Sequence, residues 1–306
     1  MGADQRSPGV TRTAEQTLIG IFWGYDGARD IGVPPRLYNQ CLREISLQAG
    51  PLAPAENAVL FALANMAMAD AGIAAWREKY TYHVGRPVTV IREADVGFGP
   101  DRGPAGRKPA VSAPTLGAAA MPSPGSSYAA IEAWLQTPTT DTVQRGDPVW
   151  RPLGAPQTNS KTSPNGLGTV NRTPPFPAYP SGHATFGASC FEAARRVLEA
   201  FGYPSDASFD FVSDEFDGVS CDPDGSVRPL HRRGLTLAQA VHENAVSRLY
   251  LGVHWRMDAV EGTRIGLRII DEMAVQQRGP ASALPVPVIP ASPAADAASA
   301  TAAEAS

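Results

Sequence analysis

An all-α helical bundle with long Pro/Gly-rich loops is predicted by three features of this chain. Apolar residues recur at helical rather than alternating spacing, no period-2 run is sustained, and clusters of proline and glycine cut the helical stretches apart. No internal repeat is found. One helical domain is therefore expected over residues 14–278, with a flexible N-terminus at 1–13 and a disordered Pro/Ala-rich tail at 279–306.

Taken in order, Ala14 to Tyr25 and Pro35 to Gln48 read as amphipathic helices, the second with proline in its first turn, where a missing N–H costs little. Ala55 to about Val84 is rich in Ala, Leu, Met and Glu and is expected to be helical with a break near Gly72. Ser127 to Leu135 is a shorter helix. Phe98 to Ser126 is a Pro/Gly/Ala/Ser insert and Thr137 to Pro177 is turn-rich, so both are expected to be loops. Helical periodicity returns at Ala184 to Phe201, Leu235 to Leu251 and Trp255 to Gln277.

Composition narrows the function. A formal net charge of -4 over 306 residues leaves no basic footprint for nucleic acid or an anionic membrane, so any positive charge that matters is local. Cys41, Cys190 and Cys221 are too few and too scattered for a disulfide framework or a zinc pattern and are expected to be free thiols, with Cys190 in the core. Met1 to Thr13 lacks the apolar region of a secretory signal, and compartment is left open. The longest apolar stretch, Ala58 to Trp76, is interrupted by Asn65 and Asp70, so no segment is expected to cross a bilayer.

Three short segments carry chemistry. If Ala75 to Gly85 is helical, Lys79 and Arg86 fall near one face about two turns apart, while Pro87 disfavours helix at Arg86 and places it at a helix terminus. Pro180-Ser181-Gly182-His183 precedes an apolar-periodic run, which puts Ser181 and Gly182 at a helix N-terminus, where unpaired N–H groups and the helix dipole attract anions. His183 then stands beside the anion, able to exchange protons near neutrality. Asp258 follows His254 by four residues, so their side chains meet on a helix; the carboxylate accepts Nδ1–H and leaves Nε2 free. Gly252 is a helix end that lets Arg248 and His254 converge from different elements. Each segment alone has an ordinary reading: a solvated helix face, a serine cap, a surface hydrogen bond. Together they suit a tetrahedral oxyanion.

In this order the three segments resemble the motif set of the acid phosphatase and vanadium haloperoxidase superfamily. The resemblance extends to Phe22-Trp23-Gly24-Tyr25-Asp26-Gly27, Pro34 to Gln40, Asp70 to Ile73, Trp76 to Lys79, Gly146 to Trp150, Phe176 to Gly187, Glu243 to Arg248 and Leu251 to Arg256, all similar to the catalytic half of fungal-type vanadium chloroperoxidases. It implies a vanadate cofactor held by Lys79, Arg86, Arg248, the Ser181 hydroxyl and the Gly182 N–H, with His254 Nε2 bonding vanadium. It further implies His183 as the acid-base group, Lys79 as the group polarising peroxide, Asp26 as the partner of a site arginine, and Trp76 and Phe176 as residues beside the halide.

Hydrogen peroxide and halide are the implied substrates, with an organic acceptor of the activated halogen as a further one. Trp76 and Phe176 read equally as core aromatics, and Asp26 as a surface turn residue. His83, four residues after Lys79 on the same expected helical face, resembles a histidine of algal bromoperoxidases, or is an exposed helix histidine.

The alternative function is a soluble acid phosphatase in which His254 becomes a phosphohistidine and His183 protonates the leaving alkoxide. A non-catalytic phosphate-binding module is disfavoured, since both histidines are present. Fungal-type members carry a second helical bundle N-terminal to the catalytic one, and nothing here corresponds to it. Either this is a minimal or excised catalytic bundle, or another subunit, a homo-oligomer for example, covers the exposed face.

Overall fold

The computed structural model describes residues 2–3, 12–25, 32–93, 127–136, 150–154, 173–221 and 225–277. The insert expected at 98–126, the tail at 279–306, Asp26, and most of 1–13 and of 137–172 lie outside these described residues.

Eight α-helices are found among the described residues, in keeping with the expected helical bundle. They are α1 (Ala14–Phe22), α2 (Pro34–Gln48), α3 (Pro54–Tyr82), α4 (Pro87–Glu93), α5 (Tyr128–Leu135), α6 (Gly182–Ala200), α7 (Leu237–Tyr250) and α8 (Arg256–Gln277). Local chemistry accounts for several boundaries. The Thr13 hydroxyl accepts from Gln16 N, and the Gln16 side chain answers by accepting from Thr13 N; Thr236 and Gln239 do the same at α7. Prolines occupy the first turns of α2 and α3, where no intrahelical donor is lost.

The break expected near Gly72 does not occur, and α3 runs unbroken through 29 residues. Gly72 serves close approach instead: a Cβ there would lie 3.1 Å from the Phe186 ring. A second difference is a short antiparallel hairpin of β1 (Ser208–Val212) and β2 (Arg232–Thr236), with Phe209 opposite Leu235. Phe209 and Phe211 are buried between exposed neighbours, a period-2 signal too short to stand out in sequence. Pairing to β1 delays the helix expected from Leu235 until Leu237. Between the strands, a 3-10 turn at Asp214–Phe216 returns towards the end of α1.

The central helix is α6, buried along most of its length and covered by α3, α7 and α8. Phe191 is fully buried, with its ring edge-on to Trp23 and Tyr38. Burial of such a ring contributes roughly 1.5–3 kcal/mol. Helix α8 reaches the backbone of α6 through Gly262 and Gly266. Cβ atoms at these positions would fall 2.6 Å from the Ser181 carbonyl oxygen and 2.5 Å from that of Thr185. This contact locks the start of α6 to α8, and both ends carry candidate site residues.

By length and composition, the stretch from Pro54 to Arg92 could cross a membrane, contrary to the expectation drawn from Asn65 and Asp70. In the fold, one face of α3 buries Leu60, Leu63, Ala64, Ala67, Ala71 and Ala75 against the bundle, while Met66 and Ile73 are exposed on the other. The three cysteines are free thiols, and Cys190 is in the core as expected.

Candidate active site

His254 lies in the turn between α7 and α8, and the sequence builds that turn locally. Gly252 adopts φ 72°, a left-handed conformation that ends α7, and Val253 N donates back to the Arg248 carbonyl at 3.2 Å. The chain then enters α8 with Asp258 in its first turn. Asp258 Oδ2 lies 2.9 Å from His254 Nδ1 and accepts from Trp255 N at the same distance. A carboxylate can only accept, so the proton is on Nδ1 and Nε2 presents its lone pair. Arg86 Nη1 donates to this Nε2 at 2.9 Å and to the Val253 carbonyl at 2.7 Å, while its Nε donates to the Phe176 carbonyl. Burial first, then Arg86, Lys79 and Arg248, push the His254 pKa well below its ordinary value, so the ring is neutral.

His183 occupies the first turn of α6, capped by Ser181, whose hydroxyl oxygen accepts from Ala184 N. Ser181 N donates to the Asp258 carbonyl at 2.8 Å, which joins the second motif to the third through backbone alone. His183 Nε2 lies 2.8 Å from the Gly24 carbonyl oxygen, to which Arg248 Nη1 also donates at 3.1 Å. The His183 carbonyl accepts from Asn244 Nδ2 at 2.7 Å, and Tyr38 Oη lies 2.9 Å from both that carbonyl and Asn244 Oδ1. Burial and then the Arg248 charge lower the His183 pKa well below the usual imidazole range.

Arg86, Arg248, Gly182, His183 and His254 line one cavity of about 540 Å³. The same cavity is also lined by apolar residues: Val33, Pro34, Pro35, Trp76, Pro174, Pro175, Phe176 and Phe186. The Trp76 and Phe176 rings are 5.1 Å apart, and the Arg86 guanidinium sits 5.0 Å from the Phe176 centroid. The cavity thus combines cationic and imidazole groups with an apolar, aromatic lining that Arg86 itself touches.

Lys79 and Ser181 are not among the lining residues. Lys79 is fully buried behind the wall, where Nζ donates to the carbonyls of Pro177 (2.9 Å), Ala178 (3.0 Å) and Pro180 (2.6 Å). Burial, then Arg86, lower its pKa to about 7. Three carbonyl oxygens around one ammonium engage all three of its N–H bonds and favour the charged form. Here Lys79 fastens the segment that presents Ser181 and Gly182.

Convergence of Lys79 and Arg86 does not come from a shared helical face. Helix α3 ends at Tyr82, His83 takes a left-handed C-cap conformation (φ 51°), and Arg86 precedes α4. His83 consequently leaves the Lys79 face; it is exposed, with its ring edge-on to Tyr80. Sequence reasoning assigned no role to the Gly24 carbonyl, to Tyr38 or to Asn244. A backbone carbonyl has no signature in sequence, and the other two lie within the resembling stretches without a residue-type pattern that marks chemistry.

A helical bundle that brings two guanidiniums, a helix N-terminus and two buried imidazoles to one cavity has the donor chemistry that suits an oxyanion. Comparison with known proteins makes the class specific. The chain belongs to the family of the VCPO second helical-bundle domain, whose family model matches residues 59–278. It is 32% identical over 288 residues to the vanadium chloroperoxidase of Curvularia inaequalis, a match covering 85% of this chain and 39% of that protein. The chain thus spans about two-fifths of the relative's length. Among solved structures, a bacterial vanadium-dependent iodoperoxidase is 21% identical with TM-score 0.49, covering 85% of this chain and 42% of that one. A holo-type bacterial vanadium-dependent chloroperoxidase is 16% identical with TM-score 0.35, covering 83% and 45%.

Proposed function

We propose that this chain is a vanadate-dependent haloperoxidase that oxidises halide with hydrogen peroxide to hypohalous acid or an equivalent halogenating species. The supporting observation is the convergence of Arg86, Arg248, Gly182, His183 and an Asp258-oriented His254 on one cavity. This donor set fits an oxyanion rather than a metal cation. Its charged members are cations, and among the described residues no group of three His, Cys, Asp or Glu is placed to hold a metal ion.

Arg86 and Arg248 would offset the charge of vanadate, the Gly182 N–H would meet an oxygen at the start of α6, and His254 would bond the metal through Nε2. Each charge-assisted contact contributes about 1.5–3 kcal/mol. When bound, vanadate supplies an oxidised Lewis-acid centre that activates peroxide towards halide.

The Nε2 lone pair cannot serve Arg86 and a metal together, so with vanadate bound Arg86 would give up its 2.9 Å contact with His254 and turn to the anion. His183 handles protons, since it lines the cavity and is neutral. Lys79 acts one step back, on the carbonyls of 177–180, holding Ser181 and Gly182 in place. Trp76 and Phe176 wall the halide region, and the volume leaves room for an organic acceptor of the activated halogen.

The test is halogenation of monochlorodimedone by purified protein given orthovanadate, peroxide and bromide, run beside p-nitrophenyl phosphate hydrolysis without vanadate. Halogenation that requires vanadate is expected. Hydrolysis with no halogenation overturns the proposal in favour of a phosphatase working through a phosphohistidine at His254.

A further inference from the structure

The segment Phe22 to Tyr25 is gripped from outside the cavity by the 3-10 turn between the strands. Ser213 Oγ donates to the Phe22 carbonyl at 2.6 Å, and Asp214 N donates to the Tyr25 hydroxyl at 2.8 Å, which itself donates to Gln40 Oε1 at 3.0 Å. Tyr25 N donates to Glu215 Oε1 at 3.3 Å. Glu215 is fully buried, and its other oxygen is paired with the equally inaccessible Arg228. Tyr25 is held at φ 37°, a conformation that a bulky residue adopts only when its surroundings impose it.

The Tyr25 N–H and the Gly24 C=O belong to one planar trans peptide and point in opposite directions. A carboxylate that fixes the N–H on one side therefore aims the carbonyl on the other, towards His183 Nε2 at 2.8 Å and Arg248 Nη1 at 3.1 Å. A carbonyl oxygen only accepts, so His183, a residue that lines the cavity, carries its proton on Nε2 and keeps the lone pair on Nδ1.

We infer that Glu215 is a positioning residue: through the Gly24–Tyr25 peptide it selects the Nε2–H tautomer of His183 and so makes Nδ1 the working nitrogen of the site. As a statement about proton transfer in catalysis this rests on the haloperoxidase reading; as a statement about tautomer it stands alone.

The experiment is long-range proton–nitrogen NMR of the full chain carrying nitrogen-15 histidine, without vanadate, at about pH 7, with His183 assigned through His183→Gln. Wild type is expected to show a protonated Nε2 and a bare Nδ1 at His183. The double variant Glu215→Leu/Arg228→Met removes both buried charges together, so packing survives while the hold on Tyr25 is lost. It is expected to show mixed His183 tautomers and a kcat for bromide oxidation about tenfold lower with KM for bromide nearly unchanged. Glu215→Gln/Arg228→Met retains an acceptor for Tyr25 N–H, leaves no buried guanidinium without its carboxylate, and is expected to keep both readouts near wild type.

A proton on Nδ1 of His183 in wild type overturns the inference whatever the variants do. So does a Glu215→Leu/Arg228→Met variant with the wild-type tautomer and kcat. Should wild type fail to halogenate yet show the expected tautomer, the haloperoxidase reading falls and the positioning role remains.

Discussion

His254 and His183 face the same cavity but are oriented in opposite ways. His254 donates its Nδ1–H to Asp258, four residues on, and presents Nε2. His183 donates its Nε2–H to a carbonyl 159 residues away and keeps its lone pair on Nδ1. One imidazole is set by its own helix start, the other by a peptide that a distant turn holds in place. On the haloperoxidase reading, the nitrogen that would bond a metal and the nitrogen that would pass protons are thus specified separately within one pocket, although both rings are buried and neutral.

The largest expected effect comes from removing the ring that presents Nε2. His254→Ala should abolish halogenation and weaken vanadate binding roughly ten- to hundredfold, read by equilibrium dialysis. Wild-type affinity in that variant would end the distinction between the two rings.

Asp258→Ala leaves His254 in place but removes the acceptor that orients it. Vanadate affinity should fall by up to about a hundredfold, and more than ten, as when other partners that orient metal-ligating imidazoles are removed. An unchanged affinity would show that His254 needs no carboxylate to orient it.

Both histidines hang from the junction of α6 with α8, so Gly262→Leu should disturb them together. Its side chain would meet the Ser181 carbonyl and Ala184, and a stability loss of about 1–3 kcal/mol is expected from urea unfolding. Loss of stability with an intact site would mean that the junction does not position either ring.

The smallest effect uses a third histidine as a control. His242 is buried with no hydrogen-bond partner for either ring nitrogen among the described residues, its ring 4.9 Å from Trp134, and burial lowers its pKa to about 3. The unfolded chain protonates such a ring near the ordinary value while the folded chain resists, so stability falls as pH drops from about 6.5 towards 3. His183 and His254 add to the same slope. His242→Phe should flatten it by at most one proton, about 1.4 kcal/mol per pH unit, measured as urea midpoints across that range. An unaltered slope would show that the two site histidines carry the acid sensitivity between them.

Legibility in the sequence followed the range of the interaction. The Ser181 cap, the proline-led start of α2, the Gly252 turn and the His254–Asp258 pair are contacts within a few residues, and each was readable from residue type and spacing. Gly72 was misread because a glycine that admits the Phe186 ring looks the same in sequence as one that ends a helix. The apolar composition of α3 was also misjudged, since Asn65 and Asp70 are too few to remove a span-like stretch. Lys79 was expected at the anion; three carbonyls of a segment nearly a hundred residues away hold it behind the wall instead.

From the chain alone came the helical class, the helix-terminal placement of the anion motif and the tautomer of His254, because side chains and backbone that are neighbours in sequence meet whatever the rest of the molecule does. Tertiary structure alone decided that Arg86 reaches His254, that α8 presses its glycines onto the start of α6, and that the Gly24 carbonyl meets His183. Those contacts join residues about 80 to 170 positions apart, and only burial around α6 brings them together.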